Sequence, residues 1–171
     1  MIEGGIGGND AYTKLLLHMD DASLSDSSSM VYATSEFGNA ARSNTQSKFG
    51  SYSGYFDGSG DYISVPDSND LTWDGDFTME MWIYPTVVNA NYESITNTYY
   101  DTANGFILTS SVGTNGHIGW WTNTAGWYDT GYTLSLNQWQ HLAVVRSGST
   151  IKFYVNGNQV ASVTDSSSIN S

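Results

Sequence analysis

Two short runs of alternating side chains, at residues 139–146 and 151–156, predict paired strands in the last third of this chain. Successive side chains on a strand point to opposite faces of a sheet, so a period of two residues is typical of a half-buried strand. The dipeptide Asn156-Gly157 follows the second run, and it tolerates the positive φ angles of a two-residue hairpin turn. The stretch therefore predicts an antiparallel meander that ends near Val163.

The alternation also assigns faces to the predicted strands. We expect Trp139 and Phe153 to lie buried between two sheets. A third strand is predicted at residues 77–84, where one set of side chains is apolar and the other is mixed. In a two-sheet sandwich the first set should line the core and the second the outer face. The apolar set is Phe77, Met79, Met81 and Ile83, and the outer set is Thr78, Glu80, Trp82 and Tyr84.

Four segments in the same order resemble the laminin-G-like jelly-roll domains of the concanavalin A-like lectin/glucanase superfamily. They are LLLHMD at 15–20, GYFDGSGDYISVP at 54–66, DFTMEMWIYP at 76–85, and WQHLAVVR with IKFYVNG at 139–157. The resemblance implies an all-β protein built as a two-sheet antiparallel jelly-roll sandwich. The segments are also similar to jelly-roll modules of tailed-phage and other viral structural proteins.

The predicted organisation is one jelly-roll domain at residues 12–171, preceded by a flexible Gly-rich arm or linker at residues 1–11. The family continues past the Asn-Gly hairpin with a glycine-rich strand and a closing strand that carries an acidic residue. Here residues 165–168 are expected to form a polar tail, which predicts a domain without its usual closing strands. An open sheet edge favours association, which predicts a homo-oligomer or an assembly component.

Weaker patterns predict further short elements along the chain. A single helical turn is expected at residues 68–71. Additional strands are expected at residues 12–19, 30–35, 54–57, 61–65, 94–97, 106–110 and 117–122.

The charge of the chain excludes some partners. Seventeen acidic and five dispersed basic residues give a formal net charge of −12. Nucleic acids and anionic membranes are bound through clustered Lys and Arg, so neither is an expected partner. The first residues lack the basic and apolar regions of a signal peptide, and no apolar run is long enough to span a membrane. We therefore expect a virion or extracellular location, reached on a particle or after lysis.

Glycoside hydrolysis is not expected. The resemblance implies that catalytic members carry two Glu residues on one strand, and retaining chemistry needs carboxyl groups about 5 Å apart. This chain has only Glu3, Glu36, Glu80 and Glu93, with no such pair. The sequence thus predicts a protein that is not an enzyme. His18, His117 and His141 fall in separate predicted strands, and a structural role is the favoured interpretation of each.

Acidic, Gly-rich loops indicate a possible calcium site. Ca²⁺ takes oxygen ligands from carboxylates and backbone carbonyls, and the resemblance implies loops of this kind. The alternative is that these carboxylates serve only solubility. The candidate ligands are Asp20, Asp21, Asp57 and Asp61.

A cluster of aromatic and polar residues after residue 98 indicates a sugar site. Sugars stack their C–H faces on aromatic rings while amides and carboxylates bind their hydroxyl groups. Trp120 and Trp121 must point to opposite faces of one strand, so one of them faces outward, and Trp127 and Tyr128 are expected in a loop. The candidate residues are Tyr99, Tyr100, Trp121, Asn123, Trp127, Tyr128 and Asp129.

These patterns predict a non-catalytic carbohydrate-binding or adhesion module of a virion structural protein, such as a phage fibre or decoration protein. Its expected partners are a host-surface glycan and other virion proteins. A protein interface would use the same aromatic residue types, so a purely structural capsid or tail protein is the first alternative. A glycoside-processing domain is the second.

Overall fold

A computed structural model describes most of the chain, and its backbone divides into two compact units, Met1–Asp70 and Leu71–Ser171. The regular structure of the described residues is strand throughout, apart from one turn of 3-10 helix at Asn69–Leu71. That turn confirms the one predicted at residues 68–71. The described residues are 10–20, 23–88, 92–98, 105–113 and 116–169.

The first unit contains four short strands in two antiparallel pairs. The strands are β1 (Ser35–Phe37), β2 (Ala41–Ser43), β3 (Ser53–Tyr55) and β4 (Tyr62–Ser64). β1 pairs with β4, and β2 pairs with β3. Ser and Asp side chains close several turns of this unit by accepting hydrogen bonds from nearby backbone N–H groups.

The strand expected at residues 12–19 does not form, and only an isolated bridge joins Leu17 to Asp26. The buried Asp26 carboxylate accepts hydrogen bonds from the backbone N–H groups of Leu16, Ser28 and Tyr32. Those N–H groups are therefore not available to a β-ladder. Burial alone would raise the pKa of Asp26, but these hydrogen bonds outweigh it and lower the pKa below its usual value.

The second unit contains two four-stranded antiparallel sheets. Its strands are β5 (Phe77–Ile83), β6 (Ser94–Asn97), β7 (Phe106–Val112), β8 (His117–Thr122), β9 (Gly126–Thr133), β10 (Gln140–Ser147), β11 (Thr150–Val155) and β12 (Asn158–Thr164). Sheet I has the strand order β12-β11-β10-β5, and sheet II has the order β6-β7-β8-β9. The all-β class and the two antiparallel sheets are as predicted. β9 was not predicted.

The core of the second unit contains side chains from both sheets. Apolar residues of β5 pack against it on the predicted face. The Trp120 ring stacks on Phe106 at 4.9 Å between centroids and meets Phe153 edge-on at 6.2 Å, which joins sheet II to sheet I. The fully buried apolar side chains are Phe106, Leu108, Ile118, Trp120, Leu134, Leu142, Val144, Ile151, Phe153, Val155 and Ile169.

β10 buries the face opposite to the one that was predicted to be buried. Phe153 is buried as expected, but Trp139 precedes the strand, is partly exposed, and packs edge-on against Tyr84 at 5.5 Å. Gln140 and Arg146 point inward instead. The Gln140 amide bonds the backbone of Ser135.

The polar inward side chains of β10 are tolerated because their hydrogen-bonding groups have partners. The Arg146 guanidinium donates to the carbonyl oxygens of Trp73, Gly148 and Ser167. Side-chain alternation alone does not show which face of β10 is buried, because the buried face carries Gln140 and Arg146.

The Asn-Gly turn forms as predicted. β11 ends at Val155 and β12 begins at Asn158, so the connection has two residues. Both have positive φ angles, 50° at Asn156 and 79° at Gly157, which is the requirement of a type I′ turn.

The segment after β12 is polar in sequence, but alternate residues of it are buried. Asp165 and Ser167 lie in the interior, and Ile169 joins the apolar core. The backbone N–H of Ile169 donates to the carboxylate of Asp74, and its carbonyl accepts from Trp73 N–H. The tail is therefore an integral part of the second unit.

Asp165 links this tail to sheet II. Its carboxylate accepts hydrogen bonds from Trp120 Nε1 at 3.3 Å, Thr122 Oγ1 at 2.9 Å and Ser167 N at 2.9 Å, and also from the Ser167 hydroxyl. Burial would raise the pKa of Asp165, but this set of donors stabilises the carboxylate and lowers the pKa.

Within the described residues, nothing helical reaches the length and hydropathy of a membrane-spanning helix.

Candidate functional site

One row of side chains crosses the outer face of sheet II. In the strand register Trp121 of β8 lies opposite Trp127 of β9 and, on its other side, opposite Ile107 of β7. Ile107 in turn lies opposite Asn97 of β6. Trp120 points into the core, so this row faces away from it. The prediction that one of the two adjacent Trp residues faces outward is confirmed.

Three aromatic rings on this face form what we call the outer platform: Tyr92, Trp121 and Trp127. The ring centroids of Trp121 and Trp127 are 6.4 Å apart, and those of Tyr92 and Trp127 are 4.7 Å apart. Trp127 is 41% exposed and Tyr92 is 47% exposed. The platform is thus a contiguous aromatic surface that is open on one side. Tyr92 was not among the predicted residues.

A tight hairpin sets the position of Trp127. The turn between β8 and β9 returns at Gly126, whose φ is 71°, and Thr122 Oγ1 accepts a hydrogen bond from Ala125 N–H at 3.3 Å. Trp127 is therefore a strand residue, and the prediction that it lies in a loop is wrong. β9 is difficult to predict from the sequence because its inward residues are Tyr128 and Tyr132. Their amphipathic rings stand among Thr, Asp and Gly and give no clear apolar alternation.

A histidine and a carboxylate lie on the same face beyond the platform. His117 Nδ1 is 2.9 Å from Oδ1 and 3.1 Å from Oδ2 of Asp129. A bulge in β9 produces this contact, since Asp129 lies opposite Gly119 while Thr133 lies opposite His117. Gly131, with φ 70°, donates its N–H to Asp129 Oδ1 at 2.8 Å. These bonds orient the Asp129 carboxylate.

The structure brings together only part of the predicted sugar site. Trp121, Trp127 and Asp129 share the outer face, and Asn123 is exposed in the adjoining turn. The inclusion of Tyr128 is wrong: it lies on the inner face, its ring centroid is 6.0 Å from that of Phe153, and its hydroxyl donates to the Ser162 carbonyl. Tyr99 and Tyr100 lie outside the described residues.

His117 could not be assigned to this site from the sequence. It is separated from Asp129 by 12 positions, and the two meet only because of the β9 bulge. A correct register for β8 and β9 would have indicated the pair, but that register depends on Gly126 and Gly131. Neither glycine differs from any other loop glycine in the sequence.

The acidic residues predicted to bind calcium are spread over two loops. Among the described residues, no three His, Asp or Glu side chains are placed so that they could hold a metal ion. Asp21 lies outside the described residues, and the Asp20 carbonyl accepts from Ser51 N–H. Whether Asp20 and its neighbours bind calcium stays a prediction.

Asp57 and Asp61 form a hydrogen-bonded loop. Asp57 accepts from the side chain of Asn39 and from Ser59 N–H, while Asp61 accepts from the backbone N–H groups of Asn39 and Asp57. The bond from the Asn39 side chain, followed by that from Ser59, lowers the pKa of Asp57. A cation would have to use the remaining lone pair of each oxygen.

The geometry of the outer platform suits a sugar ring better than an extended apolar ligand. Exposed indole and phenol rings supply a flat apolar surface, and an oriented carboxylate beside a histidine supplies hydrogen-bond acceptors and donors for hydroxyl groups. Such a combination of an apolar surface with a few fixed polar groups is typical of small-molecule sites.

Comparisons with known proteins agree with this architecture. Residues 57–171 match the laminin G family described as "Concanavalin A-like lectin/glucanases superfamily". A search of curated proteins gives no match. The solved structures that are similar in fold include three at sequence identities of 18–21%.

The first is domain 4 of AbnA, a GH43 extracellular arabinanase from Geobacillus stearothermophilus, in complex with arabinotriose. It is 21% identical, has a TM-score of 0.72, and the match covers 90% of this chain and 76% of that one. The botulinum neurotoxin serotype D binding domain is 18% identical with a TM-score of 0.66, over 89% of this chain and 39% of that one. An S-layer domain-containing protein from Clostridium thermocellum is 19% identical with a TM-score of 0.53, over 88% and 72%.

Proposed function

The chain belongs to the concanavalin A-like lectin/glucanases superfamily, and on that basis we propose that it is a non-catalytic carbohydrate-binding module. The observation that carries the proposal is the outer platform with its adjoining His117–Asp129 pair. Stacking on Trp127 and Trp121 supplies affinity, and the pair supplies directed hydrogen bonds. The proposal assigns no catalytic residue.

The fold relatives support the choice of ligand class. The AbnA domain was solved with arabinotriose, and the neurotoxin relative is a binding domain. We propose a neutral oligosaccharide as the ligand, with arabinotriose as the first probe. A neutral ligand also suits a chain of net charge −12, because anionic sugars would be repelled by the protein as a whole.

Replacing Trp127 with Ala tests this proposal. We expect about a ten-fold loss of affinity for arabinotriose or for the best neutral glycan on an array, equivalent to ~1.4 kcal/mol, because the platform loses its most exposed indole. Isothermal titration calorimetry measures the change. The melting temperature should stay close to that of the wild type, since the ring is on the surface.

Tyr12→Ala is the matched control, because Tyr12 is 87% exposed and belongs to the first unit and not to either sheet of the second. Its affinity should equal that of the wild type. Unchanged binding in Trp127→Ala would contradict the assignment of the site. A protein that binds a protein partner but no glycan would favour the structural alternative.

The proposal extends to where the module works. Resemblance of its segments to viral jelly-roll modules supports a place on a virion, in a fibre or decoration protein, with other virion proteins as partners. Among the described strands, β12 ends sheet I and pairs only with β11, which supports a homo-oligomer or an assembly. Mass spectrometry of purified particles and analytical ultracentrifugation of the isolated chain test these two points separately.

Calcium is the proposed accessory ligand, held by loops that contain Asp20, Asp21, Asp57 and Asp61. A ligand that binds only the folded state raises its stability by mass action. EDTA should therefore lower the melting temperature, and excess Ca²⁺ should restore it, whereas Asp57→Asn should weaken the response. Identical melting curves in EDTA and in Ca²⁺ would exclude this part of the proposal.

A further inference from the structure

The outer face of sheet I carries a second aromatic and polar cluster. Trp82 of β5 lies opposite His141 of β10, with ring centroids 5.2 Å apart and a tilt of 57°. Oε2 of Glu80, two residues before Trp82 on the same face, is 3.5 Å from Nε2 of His141. Trp82, His141 and Glu80 thus form one group, which we call the sheet I cluster.

The sheet I cluster contains the same three kinds of side chain as the site on sheet II. Each face presents an exposed indole, a histidine on a neighbouring strand and a carboxylate in contact with that histidine. On sheet II these are Trp127, His117 and Asp129. Both groups point away from the core, since the inward side chains of β5 and β10 pack against it.

Stability does not account for the sheet I cluster. Trp82 is 38% exposed, and the Glu80 side chain is 63% exposed. A partly exposed contact between His and Glu side chains contributes little to folding, and a large ring on the surface stabilises the fold less than a buried one. A ligand that covers the ring would gain the free energy of burying its apolar surface.

The sheet I cluster has a rigid backbone. His141 N–H donates to Asn156 Oδ1 at 2.9 Å, and the Asn156 N–H donates to the His141 carbonyl at 2.8 Å. His141 is thereby fixed between β5 and the tight turn at Asn156-Gly157. A site on such elements is already ordered before its ligand arrives, which lowers the entropic cost of binding.

We propose that the sheet I cluster is a second carbohydrate site, so that one domain binds two separate sugar chains on opposite outer faces of the second unit. This inference rests on the proposed function and adds a second binding site, which makes the domain bivalent. The Trp82 ring stacks on the sugar, while His141 and Glu80 bind its hydroxyl groups. Each site carries a carboxylate within a chain of net charge −12, which selects neutral over anionic sugars.

Two sites on opposite faces cannot bind the same short oligosaccharide. They would instead link two polysaccharide chains, or attach one protein to a surface through two contacts when several copies are present. The second contact then forms at a high effective concentration and raises the overall avidity.

The stoichiometry of arabinotriose binding tests the proposal. Calorimetry should give two sites per chain for the wild type. Trp82→Ala should weaken only the sheet I site about ten-fold, Trp127→Ala should weaken only the sheet II site by a similar factor, and the double variant should weaken both. Trp82→Phe keeps an aromatic surface and should restore part of the binding. Tyr12→Ala should retain both sites, and the melting temperatures of all variants identify any loss of folding.

Light scattering from soluble linear arabinan gives a second measurement. The wild type should cross-link the polysaccharide and raise the scattering, whereas either single variant should bind without cross-linking. One site per chain in the wild type, with Trp82→Ala indistinguishable from it, would overturn the second site and leave the proposed function standing. Binding abolished by Trp82→Ala but unaffected by Trp127→Ala would overturn the assignment to sheet II instead. A wild type that binds neither arabinotriose nor any neutral glycan on an array would overturn both.

Discussion

Trp120→Ala should lower the free energy of unfolding by about 3–5 kcal/mol, enough to unfold a marginally stable domain. The ring is fully buried, stacks on Phe106 and contacts Phe153 across the two sheets. Its removal leaves a cavity at the centre of the core and takes one donor from Asp165. Urea denaturation followed by circular dichroism measures the change.

Trp121→Ala is the matched control, because it removes the same side chain from the next position of β8. Trp121 faces outward, so its loss should cost clearly less stability while weakening sugar binding. Trp139→Ala should also cost less than Trp120→Ala, since Trp139 is partly exposed and packs against Tyr84. Equal losses in all three variants would show that the faces of β8 and β10 are assigned incorrectly.

Asp165→Ala should cost about 3 kcal/mol, because it leaves buried donors without an acceptor and hydrogen bonds to a charged group are stronger than neutral ones. The donors are Trp120 Nε1, the Thr122 hydroxyl and the Ser167 N–H and hydroxyl. The tail after β12 should detach, and Ile169 should become accessible. Hydrogen exchange at residues 165–169 reports this detachment.

The contribution of Asp165 should also depend on pH. Its folded-state pKa lies below the usual value of 3.8, so the unfolded state takes up the proton first as the pH falls. The stabilisation is complete well above pH 3.8 and disappears as the pH falls through the folded-state pKa.

Asp165→Asn provides the comparison, because it cannot ionise and retains a similar shape. The stability difference between wild type and this variant should be constant near neutral pH and should shrink below about pH 4. The pKa of Asp26 is also lowered in the folded state, but Asp26 is present in both proteins, so its contribution cancels from the stability difference. A difference that stays constant down to pH 2.5 would mean that the Asp165 carboxylate is not stabilised in the folded state.

Local pattern was sufficient for much of the second unit. Period-two alternation determined the faces of β5 and β11, and the adjacent indoles of Trp120 and Trp121 had to face opposite sides of β8. Asn156-Gly157 determined its turn, because few other dipeptides adopt two positive φ angles in succession. These features depend on residues that are neighbours in the chain, so the sequence contains them directly.

Local sequence pattern predicted only part of the candidate site. Trp121, Trp127 and Asp129 follow from residue type, but Tyr92 and His117 do not. Tyr92 reaches the platform from outside the strands, through a ring contact with Trp127. His117 meets Asp129 through strand register and a bulge, and the same register places Tyr128 on the inner face. The sheet I cluster likewise needs the pairing of β5 with β10, which joins residues about 60 positions apart.

By itself the amino-acid sequence determined the all-β class, the meander and the hairpin turn, since these follow from backbone preferences and side-chain period. Only the tertiary structure decided which face of β10 is buried and where the tail after β12 lies. Gln140, Arg146 and Asp165 are polar residues that a sequence assigns to the surface. They are buried here because hydrogen bonds satisfy them: Gln140 bonds the nearby Ser135 backbone, and Arg146 and Asp165 bond distant parts of the second unit.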